Sequence, residues 1–83
     1  MSQLRVLFFS HLRDAVGQSE LEIKAPFEPK SVDQLLNLLC ADFPKLADAR
    51  SSIRVAVNQE YVSLDAPLAE GDEVAIMPPV QGG

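Results

Sequence analysis

The sequence predicts an α+β domain in which a small mixed β-sheet packs against one main helix. Segments with alternating apolar and polar residues lie early and late in the chain, and a single apolar stripe with helical spacing lies between them. The chain has only 83 residues. A domain of this size buries about 60% of its unfolded surface, so it can form one core but no large active-site cavity of its own.

The first part of the chain predicts two strands separated by a short helix. Apart from Arg5, residues 4–9 are apolar and two of them are aromatic, which is typical of a strand. Residues 11–16 favour a short helix that ends at Gly17, because glycine suits the left-handed conformation at a helix C-terminus. Residues 20–24 alternate between charged and apolar side chains. We therefore expect a half-buried strand here that pairs back on the first strand.

The clearest helix begins at Ser31. Ser31 and Gln34 match a capping box, in which side chains satisfy backbone N–H groups that the first turn leaves without partners. Pro44 is expected to end this helix, because proline fits poorly inside one. The apolar stripe has the spacing of one helical face and comprises Val32, Leu35, Leu36, Leu39 and Phe43. The spacing predicts that this face is buried against the sheet.

The last third of the chain predicts three further strands. Residues 53–57 alternate in polarity, residues 61–62 follow a turn, and residues 73–77 form the last strand. Pro78 and Pro79 end that strand, because proline cannot donate a hydrogen bond to a neighbouring strand. This order of elements predicts a β-grasp domain over residues 1–77, with the helix on one face of the sheet and an extended tail over residues 78–83.

The sheet face away from the helix is predicted to be apolar. A single-layer sheet normally presents polar side chains to water, and an exposed apolar patch usually marks a contact surface. The alternative is that a loop covers this side, or that the strand register differs from the predicted one. The residues assigned to this face are Leu7, Phe9, Ala56, Ala75 and Met77, beside Arg5 and Arg54.

The charge distribution restricts the classes of partner. The net charge is −5, of which residues 51–83 carry −4. An acidic segment without a basic cluster argues against nucleic acid or an anionic membrane and favours a basic protein surface. Alternatively, the acidic loops only keep a small domain in solution. No apolar run reaches the length of a membrane span and no signal peptide is evident, which indicates a cytoplasmic protein.

The single cysteine and the single histidine do not predict a site. Cys40 cannot form an internal disulfide, and His11 cannot complete a zinc site. Cys40 flanks the helical stripe, so it is interpreted as a small apolar residue at the edge of the core. No metal site is expected in this chain.

The most informative segment is the C-terminus, Pro78-Pro79-Val80-Gln81-Gly82-Gly83. The two prolines favour extended polyproline geometry, and six extended residues can reach about 20 Å. Two glycines make the tip slim enough for a narrow channel. This pattern predicts a tail that delivers its own terminal carboxyl group into the active site of another protein, although a flexible, idle tail would look similar.

A carboxylate is a poor electrophile, and conversion to an acyl-adenylate gives it a good leaving group. The chain has no glycine-rich phosphate loop, so a partner must bind the ATP. No Ser-His-Asp set, Cys-His pair or paired carboxylates can be recognised either. The sequence therefore predicts that the chain does not catalyse the activation of its own carboxyl group and needs a partner enzyme.

Two segments resemble the small subunit of molybdopterin synthase, a ubiquitin-like sulfur carrier family. They are VNQEYVSLDAPLAEGDEVAIMPPVQGG, residues 57–83, and LFFSHLRDAVG, residues 7–17. The resemblance spans essentially the whole chain. The most specific part is Gly71-Asp72-Glu73-Val74 followed by the Pro-Pro and Gly-Gly pairs, whereas a bare Gly-Gly terminus is not specific.

The resemblance implies a route for sulfur through Gly83. An E1-like adenylyltransferase adenylates Gly83 with ATP and magnesium, and a sulfur donor protein converts the adenylate to a thiocarboxylate. The tail then inserts into the large synthase subunit, where the sulfur passes to cyclic pyranopterin monophosphate to form the molybdopterin dithiolene. The assembly implied is a heterotetramer, in which catalytic groups lie on the large subunit.

The resemblance and the apolar face together give a set of candidate partner residues. The tail residues expected inside the large subunit are Pro78, Pro79, Val80, Gln81 and Gly82. The residues expected at the interface outside the channel are Phe9, Arg13, Tyr61 and Met77. The chain departs from the family at Ile76, Met77 and Tyr61, and at Gln81 before the two glycines, which affects partner affinity rather than the chemistry of Gly83.

Other functions remain open on the sequence alone. A sulfur carrier for thiamine thiazole synthesis would have the same fold and terminal chemistry, although such relatives are usually shorter and lack the Pro-Pro pair. A ubiquitin-like protein modifier would instead join Gly83 to lysine side chains through an isopeptide bond. An interaction domain with an idle tail is the third alternative.

Overall fold

A mixed five-stranded sheet forms the centre of the protein in the computed structural model, which describes residues 3–24 and 29–78. The strands are β1 (Gln3–Phe8), β2 (Glu20–Lys24), β3 (Arg54–Val57), β4 (Glu60–Tyr61) and β5 (Glu73–Met77). The helices are α1 (His11–Val16), α2 (Val32–Asp42) and α3 (Pro44–Asp48), followed by a 3₁₀ turn at Arg50–Ser52. The order of strands across the sheet is β2-β1-β5-β3-β4. The predicted α+β class is confirmed.

The central strand β5 runs parallel to β1, and the other neighbouring pairs are antiparallel. Alternate residues of each strand face the helices, as the sequence pattern predicts. The buried core combines this inner sheet face with the apolar stripe of α2. Its fully buried side chains include Leu4, Val6, Phe8, Leu12, Val32, Leu35, Leu36, Leu39, Leu46, Val74 and Ile76.

The start of α2 confirms the predicted cap, with one difference. The Ser31 hydroxyl accepts a hydrogen bond from the Gln34 backbone N–H at 3.3 Å. The Gln34 side chain reaches back one residue further than a standard capping box, because its Oε1 accepts from the Lys30 N–H at 2.8 Å. The cap therefore stabilises both the first turn of the helix and the residue that leads into it.

Backbone carbonyls from the segment after β4 satisfy the next N–H groups of α2. The Val32 N–H donates to the Ala66 carbonyl at 3.0 Å, and the Asp33 N–H donates to the Leu64 carbonyl at 2.8 Å. The first N–H groups of a helix have no partner within the helix, so these bonds fix the connecting segment across the end of α2.

The segment after Pro44, to which the sequence analysis assigned no element, is helical. The helix α2 ends at Asp42, and Pro44 is the first residue of α3. Proline is favoured at this position, because the first helical N–H needs no partner within the helix and the fixed φ already suits the helix. Leu46 on α3 is fully buried, so this short helix contributes to the core.

The predicted bounds of β1, β3 and β4 are shifted by one residue, and β1 begins at Gln3 instead of Leu4. Phe9 follows β1, and Ile53 precedes β3 as the half-buried residue that ends the 3₁₀ turn. The short strand β4 is Glu60–Tyr61 instead of residues 61–62. The strand β4 starts early because the turn before it has only two residues, Asn58 (φ 52°) and Gln59 (φ 72°), which are both left-handed. Such a tight turn starts the return strand at once.

Cys40 is half-buried and packs against the core, which confirms the structural interpretation of this residue. Pro78 is the last described residue, so most of the tail assigned to residues 78–83 lies outside the described residues. The boundary between domain and tail stays a prediction.

Candidate functional site

The uncovered face of the sheet, here called the outer face, is a band of apolar side chains that crosses four strands. The strand register places Leu7 opposite Ala75, Ala75 opposite Ala56, and Ala56 opposite Tyr61. The helices pack on the other side, where Val6, Val74 and Ile76 are fully buried. The predicted assignment of residues to the two faces is confirmed by this register.

A shallow groove of about 300 Å³ lies along this band. Its lining residues are Leu7, Phe9, Ala56, Gln59, Tyr61, Glu73, Ala75 and Met77. Three of the four predicted interface residues, Phe9, Tyr61 and Met77, therefore meet in one groove. Arg13 lies outside it, exposed on α1, and lines a separate polar depression with Asp14 and Gly17.

Large apolar side chains in this groove are exposed to solvent. The exposed fraction is 45% for Phe9 and 64% for Tyr61, whereas Met77 is half-buried. Contiguous exposed apolar surface on a small domain is typical of a contact surface. The face has the chemical character of a protein–protein contact.

Phe9 lies on the same face as Leu7 by strand alternation, and an unusual backbone conformation at Ser10 turns the chain directly after it. Ser10 has φ 58° and ψ −139°, a backbone conformation that residues other than glycine rarely adopt. The Leu12 N–H donates to the Phe9 carbonyl at 3.2 Å, which closes a tight turn between β1 and α1. The Phe9 N–H donates to the Ile76 carbonyl at 3.1 Å and extends the pairing of β1 with β5. Phe9 is thus held beside the end of β5.

The charged part of the outer face is centred on Arg5. Its Nε donates to Glu20 Oε2 at 2.8 Å, and its Nη1 lies 3.6 Å from Glu73 Oε2. The hydrogen bond and the charge of Glu20 raise the pKa of Arg5, with a smaller contribution from Glu73. The positive charge of Arg5 is therefore matched within the chain.

A cluster of hydrogen bonds fixes the turn that borders the groove. The Asn58 N–H donates to the Glu73 carbonyl at 2.8 Å, and the Glu73 N–H donates to Asn58 Oδ1 at 3.1 Å. The Asp72 carboxylate accepts from Asn58 Nδ2 at 3.0 Å and from the Ala69 N–H at 2.8 Å. These contacts place Gln59 at the groove, although the sequence analysis did not assign it to the face. The sequence signal that could have placed Gln59 at the groove is the two-residue connection between β3 and β4.

The tail begins at the edge of the sheet where this groove ends. Because β5 is parallel to β1 and antiparallel to β3, Met77 lies next to both Phe9 and the start of β3 at Arg54. Pro78 follows Met77 directly and is half-buried. Residues 79–83, which include the predicted reactive Gly83, lie outside the described residues. Their roles stay predictions.

Within the described parts of the chain, no group of three His, Cys, Asp or Glu side chains is arranged to hold a metal ion. No helix among residues 3–24 and 29–78 is long and apolar enough to span a membrane.

Comparison with known proteins identifies the family of this chain. The model of the ThiS family matches residues 6–83. A curated relative, the molybdopterin synthase sulfur carrier subunit of Escherichia coli strain K12, is 42% identical over 82 residues. That alignment covers 96% of this chain and 99% of the relative. The similarity is therefore not confined to the C-terminal motif.

Two solved structures have the same fold. The small archaeal modifier protein 1 of Methanosarcina acetivorans is 28% identical, with a TM-score of 0.79 over 100% of this chain and 98% of that one. A chain in the complex of subunits 1 and 2 of the molybdopterin-converting factor from Helicobacter pylori has a TM-score of 0.67 at 21% identity. The alignment covers 98% of this chain and 99% of that chain. The ubiquitin-like β-grasp prediction is confirmed.

Proposed function

This chain belongs to the ThiS family, and from that membership we propose that it is the sulfur carrier subunit of a molybdopterin synthase. The observation that carries the proposal is the 42% identity with a protein of that name, over nearly the full length of both chains. The Gly-Gly terminus and the apolar groove at the root of the tail fit the same function.

The reactive group in this proposal is the carboxylate of Gly83. An E1-like adenylyltransferase joins it to AMP from magnesium-bound ATP, with release of pyrophosphate. A sulfur donor protein then supplies sulfur at the oxidation level of sulfide. This sulfur attacks the acyl-adenylate, displaces AMP and leaves a thiocarboxylate. The carrier contributes the acyl group and the access of its slim tip, whereas the activating enzyme binds the nucleotide.

The loaded tail then enters the large synthase subunit, with the outer face docked against that subunit. Phe9, Tyr61 and Met77 supply apolar contact area in the groove, and residues 78–82 occupy the channel. The thiocarboxylate sulfur bonds to cyclic pyranopterin monophosphate, and water then cleaves the acyl–sulfur bond, so that Gly83 is released as a carboxylate. Two transfers complete the dithiolene. Because the sulfur is tethered, its effective concentration at the acceptor far exceeds that of dilute sulfide in solution.

A second function is favoured by one comparison. The similarity to a small archaeal modifier protein at 28% identity supports a role as a protein modifier. In that role an adenylated Gly83 would form an isopeptide bond with a lysine side chain of a target protein. Both functions share the activation of Gly83 and differ in the nucleophile that receives the acyl group.

A reconstitution with altered termini tests the sulfur carrier function. The reaction contains the activating enzyme, ATP, magnesium, a sulfide source, the large subunit and cyclic pyranopterin monophosphate. We expect a chain extended by two residues after Gly83 to form no adenylate and no molybdopterin. The matched control carries the same two residues before Met1 and should retain activity. Molybdopterin formation by the C-terminally extended chain, without removal of the extension, would contradict the proposal.

A further inference from the structure

Arg54 is a positive charge on the outer face that no carboxylate of the described residues matches. It is the first residue of β3, its side chain is exposed, and the register places it opposite Met77. Among residues 3–24 and 29–78, no carboxylate lies within ion-pair distance of Arg54. The other outer-face arginine, Arg5, is paired with Glu20 and Glu73. The two arginines therefore differ in what they can offer to a partner.

The surroundings of Arg54 are largely apolar. Met77 lies beside it on β5, and a shallow depression next to it is lined by Ile53, Tyr61, Val62 and Leu64 among others. The exposed fraction is 64% for Tyr61 and 50% for Leu64. A protein that covers this apolar area also removes water from the guanidinium group. An arginine that loses its water without gaining an anionic partner strongly opposes binding.

We propose that Arg54 selects a partner protein with an Asp or Glu carboxylate beside the opening that admits the tail. This inference rests on the proposed function, since it takes the large subunit as the protein that covers the outer face. The planar guanidinium can donate two parallel hydrogen bonds to one carboxylate, which fixes orientation as well as contact. Because Arg54 lies opposite Met77, one residue before Pro78, the pair sets the position from which the tail enters the channel.

Binding of the full chain to the purified large subunit, followed by calorimetry, tests this inference. Arg54→Met keeps the length and apolar stem of the side chain but leaves the partner carboxylate without its cation. We expect the dissociation constant to rise at least about 30-fold. Arg54→Lys keeps the charge without the planar fork, so its loss should be smaller. Thermal melting of each variant confirms that the exposed substitution leaves the fold intact.

A charge-reversal pair supplies the control and the rescue. Arg54→Glu should bind more weakly than Arg54→Met. The control is Lys45→Glu, which changes the net charge equally at an exposed residue of α3 and should change the dissociation constant less than about twofold. One Asp or Glu at the mouth of the partner's channel, changed to Lys, should restore binding of Arg54→Glu. If Arg54→Met binds as tightly as wild type, this inference is overturned and the proposed function stands. If wild type itself does not bind the large subunit, the proposed function fails as well.

Discussion

At the scale of single residues, left-handed backbone conformations shape the outer face. Ser10 and Gln59 both have positive φ, and both lie next to residues that line the groove. A side chain with a Cβ atom costs about 1–2 kcal/mol in this conformation relative to its ordinary one. The chain tolerates this strain at two turns that border the groove, which is consistent with a surface selected for contact.

Replacement of Gln59 by glycine should stabilise the protein. Glycine adopts φ 72° without strain, and Asn-Gly is the preferred pair for this kind of hairpin turn. We expect Gln59→Gly to raise the free energy of unfolding by about 1 kcal/mol, or the melting temperature by about 4–8 °C. Gln59→Ala keeps the Cβ atom and is the control, with no expected gain. A lower melting temperature for the glycine variant would show that the turn is not strained.

Substitutions at Gly82 separate two reasons for a glycine near the reactive end. If the channel excludes side chains, Gly82→Ile should nearly eliminate sulfur transfer and Gly82→Ala should lie between Ile and wild type. If a positive φ is needed, Ala should be almost as damaging as Ile, and Gly82→Asn should be milder than Ala. We expect the first pattern, because the acyl carbon must reach a nucleotide and then a pterin. Single-turnover transfer by the three variants measures this, and a wild-type rate for Gly82→Ile would exclude a narrow channel.

At the scale of elements, α3 shows what the sequence pattern could and could not predict. The stripe of α2 repeats over eleven residues, so its helix and its buried face follow from spacing alone. The helix α3 has five residues, which is too short for a periodic signal, and Leu46 is buried there only because α3 packs against α1 and α2. Strand faces were predictable because alternation is strict, whereas strand ends depend on turns such as Asn58-Gln59.

The packing of α3 predicts a large effect for one leucine. Leu46 is 0% exposed, so Leu46→Ala should leave a cavity and lower the free energy of unfolding by about 2–5 kcal/mol. Leu64→Ala removes the same atoms at a residue that is 50% exposed and should cost far less. Chemical denaturation of both variants gives the comparison. If Leu46→Ala lowers the free energy of unfolding as little as Leu64→Ala does, α3 is not part of the cooperative core.

The outer face as an element predicts a loss of binding without a loss of stability. Met77→Asp places a charge in the groove, and we expect it to weaken binding to the large subunit by about 2 kcal/mol or more. The melting temperature should change little, because Met77 faces away from the helices. Leu38→Asp is the matched control, since Leu38 is 38% exposed on the surface of α2. If Met77→Asp binds the large subunit as tightly as Leu38→Asp, the contact lies outside the groove.

At the scale of the whole molecule, the fold separates stability from chemistry. The helices and the inner sheet face form the core, the outer face offers a contact surface, and the last strand ends beside that surface at Met77. The sequence pattern was sufficient to predict the architecture and to assign strand residues to the two faces of the sheet. It could not reveal that Arg13 lies apart from Phe9, Tyr61 and Met77, because that separation depends on how the turn at Ser10 orients α1.

The central claim is that Gly83 carries sulfur as a thiocarboxylate. Intact-mass and C-terminal fragment analysis of the untagged chain, purified from cells that make molybdopterin, tests it most directly. We expect a fraction in which one terminal oxygen of Gly83 is replaced by sulfur, and this fraction should disappear when the large subunit and cyclic pyranopterin monophosphate are added. A chain that is never sulfurated, or whose Gly83 is found only in isopeptide bonds to lysine, would contradict the claim.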